Sequence, residues 1–138
     1  MNQIIRFIII NLTIYLCIAC QEPLNTKCDI IPAPQQVIFA RGFFEIDAKT
    51  KIIYIDPVMK PEAVKFQKCL KYITKEEIPV IDSDVTRKNV IVLENTGRMD
   101  DEVYELNVET NSIYCKASSA SGMFYALQSL VQLTDSSG

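Results

Sequence analysis

Apolar positions along the 138 residues follow three kinds of pattern, and each predicts a different element. Unbroken runs come first. Residues 7–19 are apolar except for Asn11 and Thr13, and they follow a lone cation, Arg6. Such a run is too short to span a bilayer, which takes about 20 residues, but it fits the apolar region of an export signal. Val90-Ile91-Val92-Leu93 is a second run, and its length predicts a central strand covered on both faces. Alternation is the next pattern. Residues 103–108 and 112–117 predict a hairpin across Glu109-Thr110-Asn111. Residues 36–40 and 43–46 predict an earlier hairpin around Arg41-Gly42, with glycine at the tight position. Residues 51–55 read as a further strand stopped by Asp56-Pro57, and Pro79-Val80-Ile81 as a short edge strand, where proline is tolerated. Ile30-Ile31-Pro32-Ala33-Pro34 opens the folded part in extended form, because a residue before proline is pushed out of the helical region.

The third pattern is helical. Pro61 suits a first helical turn, where its missing N–H costs nothing. Ala63, Phe66, Leu70 and Ile73 then recur on one side, and Lys65, Lys68, Lys71 and Lys75 decorate the other as a solvated face. The last helix starts after Ser118-Ser119, either of which can cap it, and runs to Leu133. Met123, Leu127 and Leu130 are spaced to face a sheet. Gly122, Ala126 and Ser129 make a second stripe of small residues, on which another backbone could come close. Phe124, Tyr125 and Val131 widen the apolar surface beyond what one sheet requires. An inter-domain contact through Gly122, Tyr125, Ala126 and Ser129 is therefore expected; the other reading is a deeply buried core helix. The element order predicts one α+β domain over residues 30–138, preceded by a signal at 1–20 and a polar linker at 21–29.

Composition narrows the chemistry. The signal ends Leu16-Cys17-Ile18-Ala19-Cys20, which resembles a bacterial lipobox with Cys20 as the lipidated residue, although Cys17 stands where leucine is usual. A plain signal peptide cleaved near Ala19, or a short membrane anchor, is the alternative. The expected location is the bacterial cell envelope, exported and lipid-anchored, periplasmic or outer-membrane. A formal charge of −3 with scattered lysines gives no footprint for nucleic acid and no polybasic cluster to hold an anionic membrane, so any membrane contact is expected through the lipid on Cys20. Cys28, Cys69 and Cys115 are too widely spaced for a disulfide framework. A Cys28–Cys69 bridge stays open, and Cys115, alternating with Ile113 and Ala117, reads as a small core residue.

There is no histidine, which removes Ser-His and Cys-His nucleophile pairs and the usual zinc ligand sets. No glycine-rich phosphate cradle occurs. Asp100-Asp101-Glu102, Asp82-Ser83-Asp84 and Glu76-Glu77 lie in turns, where acids serve solubility, and a glycosidase pair must sit across a cleft instead. No catalytic residue, metal site or cofactor is expected.

Three segments, taken in order, resemble the N-terminal, non-catalytic domain of bacterial β-N-acetylhexosaminidases of glycoside hydrolase family 20. They are Ile31-Pro32-Ala33-Pro34-Gln35-Gln36-Val37; Tyr104-Glu105-Leu106-Asn107-Val108 with Ile113 and Lys116-Ala117-Ser118; and Gly122-Met123-Phe124-Tyr125-Ala126-Leu127-Gln128-Ser129-Leu130. Ser121, Ala126 and Ser129 depart from the family's usual alanine, glycine and threonine, and each keeps its position small. The resemblance spans residues 30–133. It implies a zincin-like mixed β-sheet with two main helices packed on one face and no zinc site. In that family the chemistry resides in a downstream (β/α)8 barrel, so no catalytic residue carries over to these positions. The implied role is to buttress that barrel, on the same or a neighbouring polypeptide, as part of an exo-acting enzyme that removes terminal N-acetylhexosamine, with the chain alone inactive. A stand-alone envelope lipoprotein acting as an interaction or glycan-binding module is the alternative.

Overall fold

The computed structural model describes residues 28–82 and 88–134. The signal, Cys20 and most of the linker lie outside these residues, as does Asp84. The described elements are β1 (Lys51–Tyr54), a 3-10 turn (Pro57–Met59), α1 (Lys60–Thr74), β2 (Val80–Asp82), β3 (Val90–Asn95), β4 (Tyr104–Val108), β5 (Ser112–Ala117) and α2 (Ala120–Leu133). The strands form one sheet in the order β2-β1-β3-β5-β4. β1 runs parallel to β2 and β3, β3 runs parallel to β5, and only β4 is antiparallel, closing the expected hairpin with β5. The fold class is therefore α+β, with a mixed sheet and two helices.

Strand periodicity divides the sheet into two unlike faces. Ile52, Tyr54, Ile91, Leu93, Ile113, Cys115 and Ala117 point to one face, where α1 contributes Ala63, Phe66 and Leu70. Met123, Ala126, Leu127 and Leu130 of α2 complete this core. Burying each large side chain here stabilises the fold by about 1.5–3 kcal/mol. Ile53, Val90 and Val92 are buried on the opposite face with Tyr114 packed against them. β3 is thus covered on both sides, as its unbroken apolar run requires. Cys115 behaves as a core residue: it is fully buried, and burial pushes its thiol up to about 12. Cys28 and Cys69 are free thiols, so the bridge left open between them is not formed.

Hydrogen bonds tie the starts of the three central parallel strands and the ends of two of them, β1 and β3. At the lower end, Asn89 takes a left-handed backbone (φ 55°) just before β3. Its carboxamide donates to Asp47 Oδ1 at 2.7 Å and accepts from the buried Thr50 hydroxyl at 2.8 Å. Its backbone carbonyl accepts from Lys51 N–H and its N–H donates to Asn111 O, so one residue links the starts of β1, β3 and β5. The Asn89 bond, aided by Lys49 and Thr50, holds the Asp47 carboxyl below its ordinary value of 3.8. At the upper end, Asp56 accepts from Val58 N–H at 3.0 Å and from Asn95 Nδ2 at 2.9 Å. Those two bonds, the backbone one first, lower its pKa as well.

One predicted element does not form. Residues 36–46 contain no strand, so the expected hairpin around Arg41-Gly42 is corrected to an irregular segment. Gly42 does adopt a positive φ of 95°. Beyond it, Phe44 and Ile46 pack on the core while Phe43 stays exposed. This stretch is fastened by half-buried side chains on alternate positions, Phe44 and Ile46, which needs no backbone ladder. β1 also stops at Tyr54, one residue short of the expected strand end, because Asp56 begins the 3-10 turn.

Candidate functional site

The sequence places its functional expectation on α2, so the site is built from that helix outward. Ser119 caps it, accepting from Gly122 N–H at 3.0 Å. Of the two serines able to cap, Ser118 is used elsewhere: its Oγ accepts from the N–H groups of Arg98 and Met99 at 2.8 and 2.6 Å and is paired with the Thr96 hydroxyl. That fixes the loop from β3 to β4 against the helix start. The Asp101 carbonyl accepts from both Gly122 N–H and the Ser119 hydroxyl. The approach is so close that a Cβ on Gly122 would lie 2.7 Å from Val103 O and 3.1 Å from Asp101 O.

This geometry redirects the small-residue stripe. Gly122, Ala126 and Ser129 are all buried. Gly122 is pressed on the 101–103 backbone, Ala126 joins the core, and the Ser129 hydroxyl pairs with the Tyr104 hydroxyl at 2.6 Å. Their small size serves packing inside this chain. Of the four residues expected at an inter-domain contact, only Tyr125 is exposed, at 38%. Phe124 (46%) and Leu133 (49%) share that exposure, and the Phe124 and Tyr125 rings meet edge to face with centroids 5.6 Å apart. Ser121, Gln128 and Gln132 supply the rest of the outer face. Not one of the 14 residues of α2 is charged.

Gln132 was not singled out in the sequence, yet its carboxamide makes a two-point contact with Ile31. Its Oε1 accepts from Ile31 N–H at 2.9 Å, and its Nε2 donates to Ile31 O at 3.0 Å. No local signal could reveal this, since the partners are 101 positions apart.

The face of the sheet opposite α1 and α2 carries an open trough of about 560 Å³ lined by Glu94, Glu105, Asn107, Glu109, Tyr114 and Lys116. Strand register places Lys116 between Glu94 and Glu105. Glu109 accepts from Asn107 Nδ2 at 2.9 Å and from the Ser112 hydroxyl at 3.2 Å. These groups can hydrogen-bond polar ligands but present no nucleophile paired with a base. The acid clusters noted in the sequence do not converge: Asp100, Asp101, Glu102, Glu76, Glu77 and Asp82 are exposed. Among the described residues, no group of three or more His, Cys, Asp or Glu side chains is placed to hold a metal ion.

Comparison with known proteins gives this arrangement a family. Residues 27–138 match the model of glycosyl hydrolase family 20, domain 2. No curated protein sequence matches the chain. Among solved structures, the chain is similar to a family 20 exo-β-N-acetylglucosaminidase from Vibrio harveyi, solved in complex with N-acetylglucosamine (TM-score 0.68, 20% identity, covering 84% of this chain and 17% of that one). It is also similar to the family 20 β-N-acetylhexosaminidase of Streptomyces coelicolor (TM-score 0.63, 28% identity, 78% of this chain and 22% of that one). The N-acetyl-β-hexosaminidase of Streptomyces plicatus gives a TM-score of 0.62 at 25% identity, over 80% of this chain and 22% of that one. The chain thus spans about a fifth of the length of the enzymes it resembles. With a mixed sheet, two helices on one face and a match over residues 27–138, the chain belongs to the family of glycosyl hydrolase family 20, domain 2.

Proposed function

We propose that the chain is the accessory domain of an exo-β-N-acetylhexosaminidase, packing against and supporting a catalytic (β/α)8 barrel while doing no chemistry itself. One observation carries the reading: α2 exposes Phe124, Tyr125 and Leu133 on a helix without a single charged residue. A helix face meant for water normally carries charges, and an exposed uncharged face with aromatic anchors fits a partner's surface. The purified chain should bind a hydrophobic dye, lose that binding in Phe124→Ser/Tyr125→Ser, and show no turnover of 4-nitrophenyl N-acetyl-β-glucosaminide. Absence of dye binding by a clean monomer would sink the seam, and measurable turnover would sink the inactive role. The lipobox-like segment supports an exported, lipid-anchored envelope location through Cys20; failure of labelled fatty acid to attach, or its attachment to Cys20→Ala, would count against that. A second reading, a stand-alone glycan-binding module, draws its support from the polar trough around Tyr114.

A further inference from the structure

Gln132 lies on the same stripe of α2 as Ser121, Tyr125 and Gln128, at successive spacings of four, three and four residues. It is therefore part of the uncharged outer face, one turn beyond Gln128. Its carboxamide is spent on the backbone of Ile31, donating to the carbonyl and accepting from the N–H. Holding an exposed glutamine in one rotamer costs side-chain entropy, and two hydrogen bonds made in water return little beyond that cost. The contact is thus a positioning device more than a source of stability. What it positions is a large apolar side chain: Ile31 is 79% exposed, although the neighbouring Ile30 is buried at 8%.

Resting on the reading of α2 given above, we infer that Gln132 pins Ile31 to the end of α2 so that Ile31 extends the Phe124–Tyr125 surface into one docking face for the catalytic barrel. The occupant is a barrel because the family match names this region domain 2, and the enzymes that resemble the chain devote about four-fifths of their length to other parts. The surface is then built from both ends of the domain. The opening segment contributes Ile31 directly to the seam.

The test uses the full chain and, as probe, the catalytic barrel of the Streptomyces coelicolor enzyme produced without the region that this chain matches, in a preparation that retains turnover. Binding is measured by titration calorimetry for the wild type, Gln132→Leu, Ile31→Ser and Phe124→Ser/Tyr125→Ser, alongside amide exchange at Ile31. Gln132→Leu and Ile31→Ser should each weaken binding about tenfold, the scale of one interface anchor, with little change in melting temperature. Only Gln132→Leu should also speed exchange at the Ile31 amide. Wild-type binding that Phe124→Ser/Tyr125→Ser weakens, but that both Gln132→Leu and Ile31→Ser leave intact, overturns this inference and leaves the seam reading standing. Weakening by Gln132→Leu without weakening by Ile31→Ser, or unchanged Ile31 exchange in Gln132→Leu, overturns it too. No binding by the wild type overturns the seam reading, and this inference with it.

Discussion

Helix α1 carries Lys60, Glu62, Lys65, Lys68 and Lys71 along its length, whereas α2, only one residue shorter, carries no charge at all. Both pack their inner faces on the same side of the sheet, through Phe66 and Leu70 in one and Met123, Leu127 and Leu130 in the other. Their exposed aromatics differ just as sharply. Tyr72 of α1 stays 79% exposed, with the Lys75 ammonium 4.8 Å from its ring centroid. Phe124 and Tyr125 of α2 have each other's rings. Amphipathicity thus has two outcomes on one scaffold. The inner faces report the core, and the outer faces report what lies beyond it: water for α1 and, under the function proposed above, a protein surface for α2.

If the inner faces are equivalent, truncating either should cost alike. Leu70→Ala and Leu130→Ala should each destabilise the domain by about 2–5 kcal/mol in urea melts. A near-zero loss at Leu130 would break the comparison by showing α2 to be loosely held. The seat of α2 should be the more sensitive to added volume. Gly122→Ala pushes a methyl group onto two backbone carbonyls and should cost about 1–3 kcal/mol, whereas Lys68→Ala on α1 should stay within about 0.5 kcal/mol. Equal effects at the two positions would deny the close approach at residues 101–103.

Acid distinguishes the helix starts. The turn leading into α1 is capped by Asp56, and α2 by Ser119, which does not titrate in this range. The folded-state pKa of Asp56 lies below its ordinary 3.8, so its contribution is fully present above 3.8 and is lost as the pH falls through the lower folded value. Amide exchange at Val58 should therefore accelerate below pH 3.8, relative to intrinsic rates, while Gly122 holds. Asp56→Asn should remove that pH dependence, and its persistence in the variant would point to another group. The smallest expected change concerns the outer faces. Phe124→Ser/Tyr125→Ser and Lys68→Ser/Tyr72→Ser should both leave stability within about 0.5 kcal/mol per site. Dye binding should fall for the α2 pair alone, and an equal fall for both would erase the distinction drawn here.

Much of this was legible from residue patterns, and the exceptions share a cause. The β3 run, the lysine-backed helix, the proline-marked edge strand and the β4–β5 hairpin each rest on neighbours within a few positions. Residues 36–46 misled because Gly42 carries a turn signal that says nothing about whether the flanks pair or pack. The small stripe of α2 was legible only in part, for a related reason. Helical spacing shows that Gly122, Ala126 and Ser129 share a side, but the loop that fills that side comes from residues 101–104, including the Tyr104 hydroxyl. Asn89 and Gln132 went unnoticed, and Ser118 was read only as a possible cap, because an isolated polar residue looks the same whether it meets water or a partner 19 to 101 positions away.

The sheet's outer strands bear on how this protein would fail when concentrated. β2 has three residues and follows directly on Pro79, which has no N–H to offer a ladder, while β4 alternates Glu105 and Asn107 on its open side. Short, proline-flanked or charged edges resist the addition of foreign strands. Crowded molecules should therefore meet through α2 rather than zip together along the sheet, giving assemblies that come apart on dilution instead of fibrils.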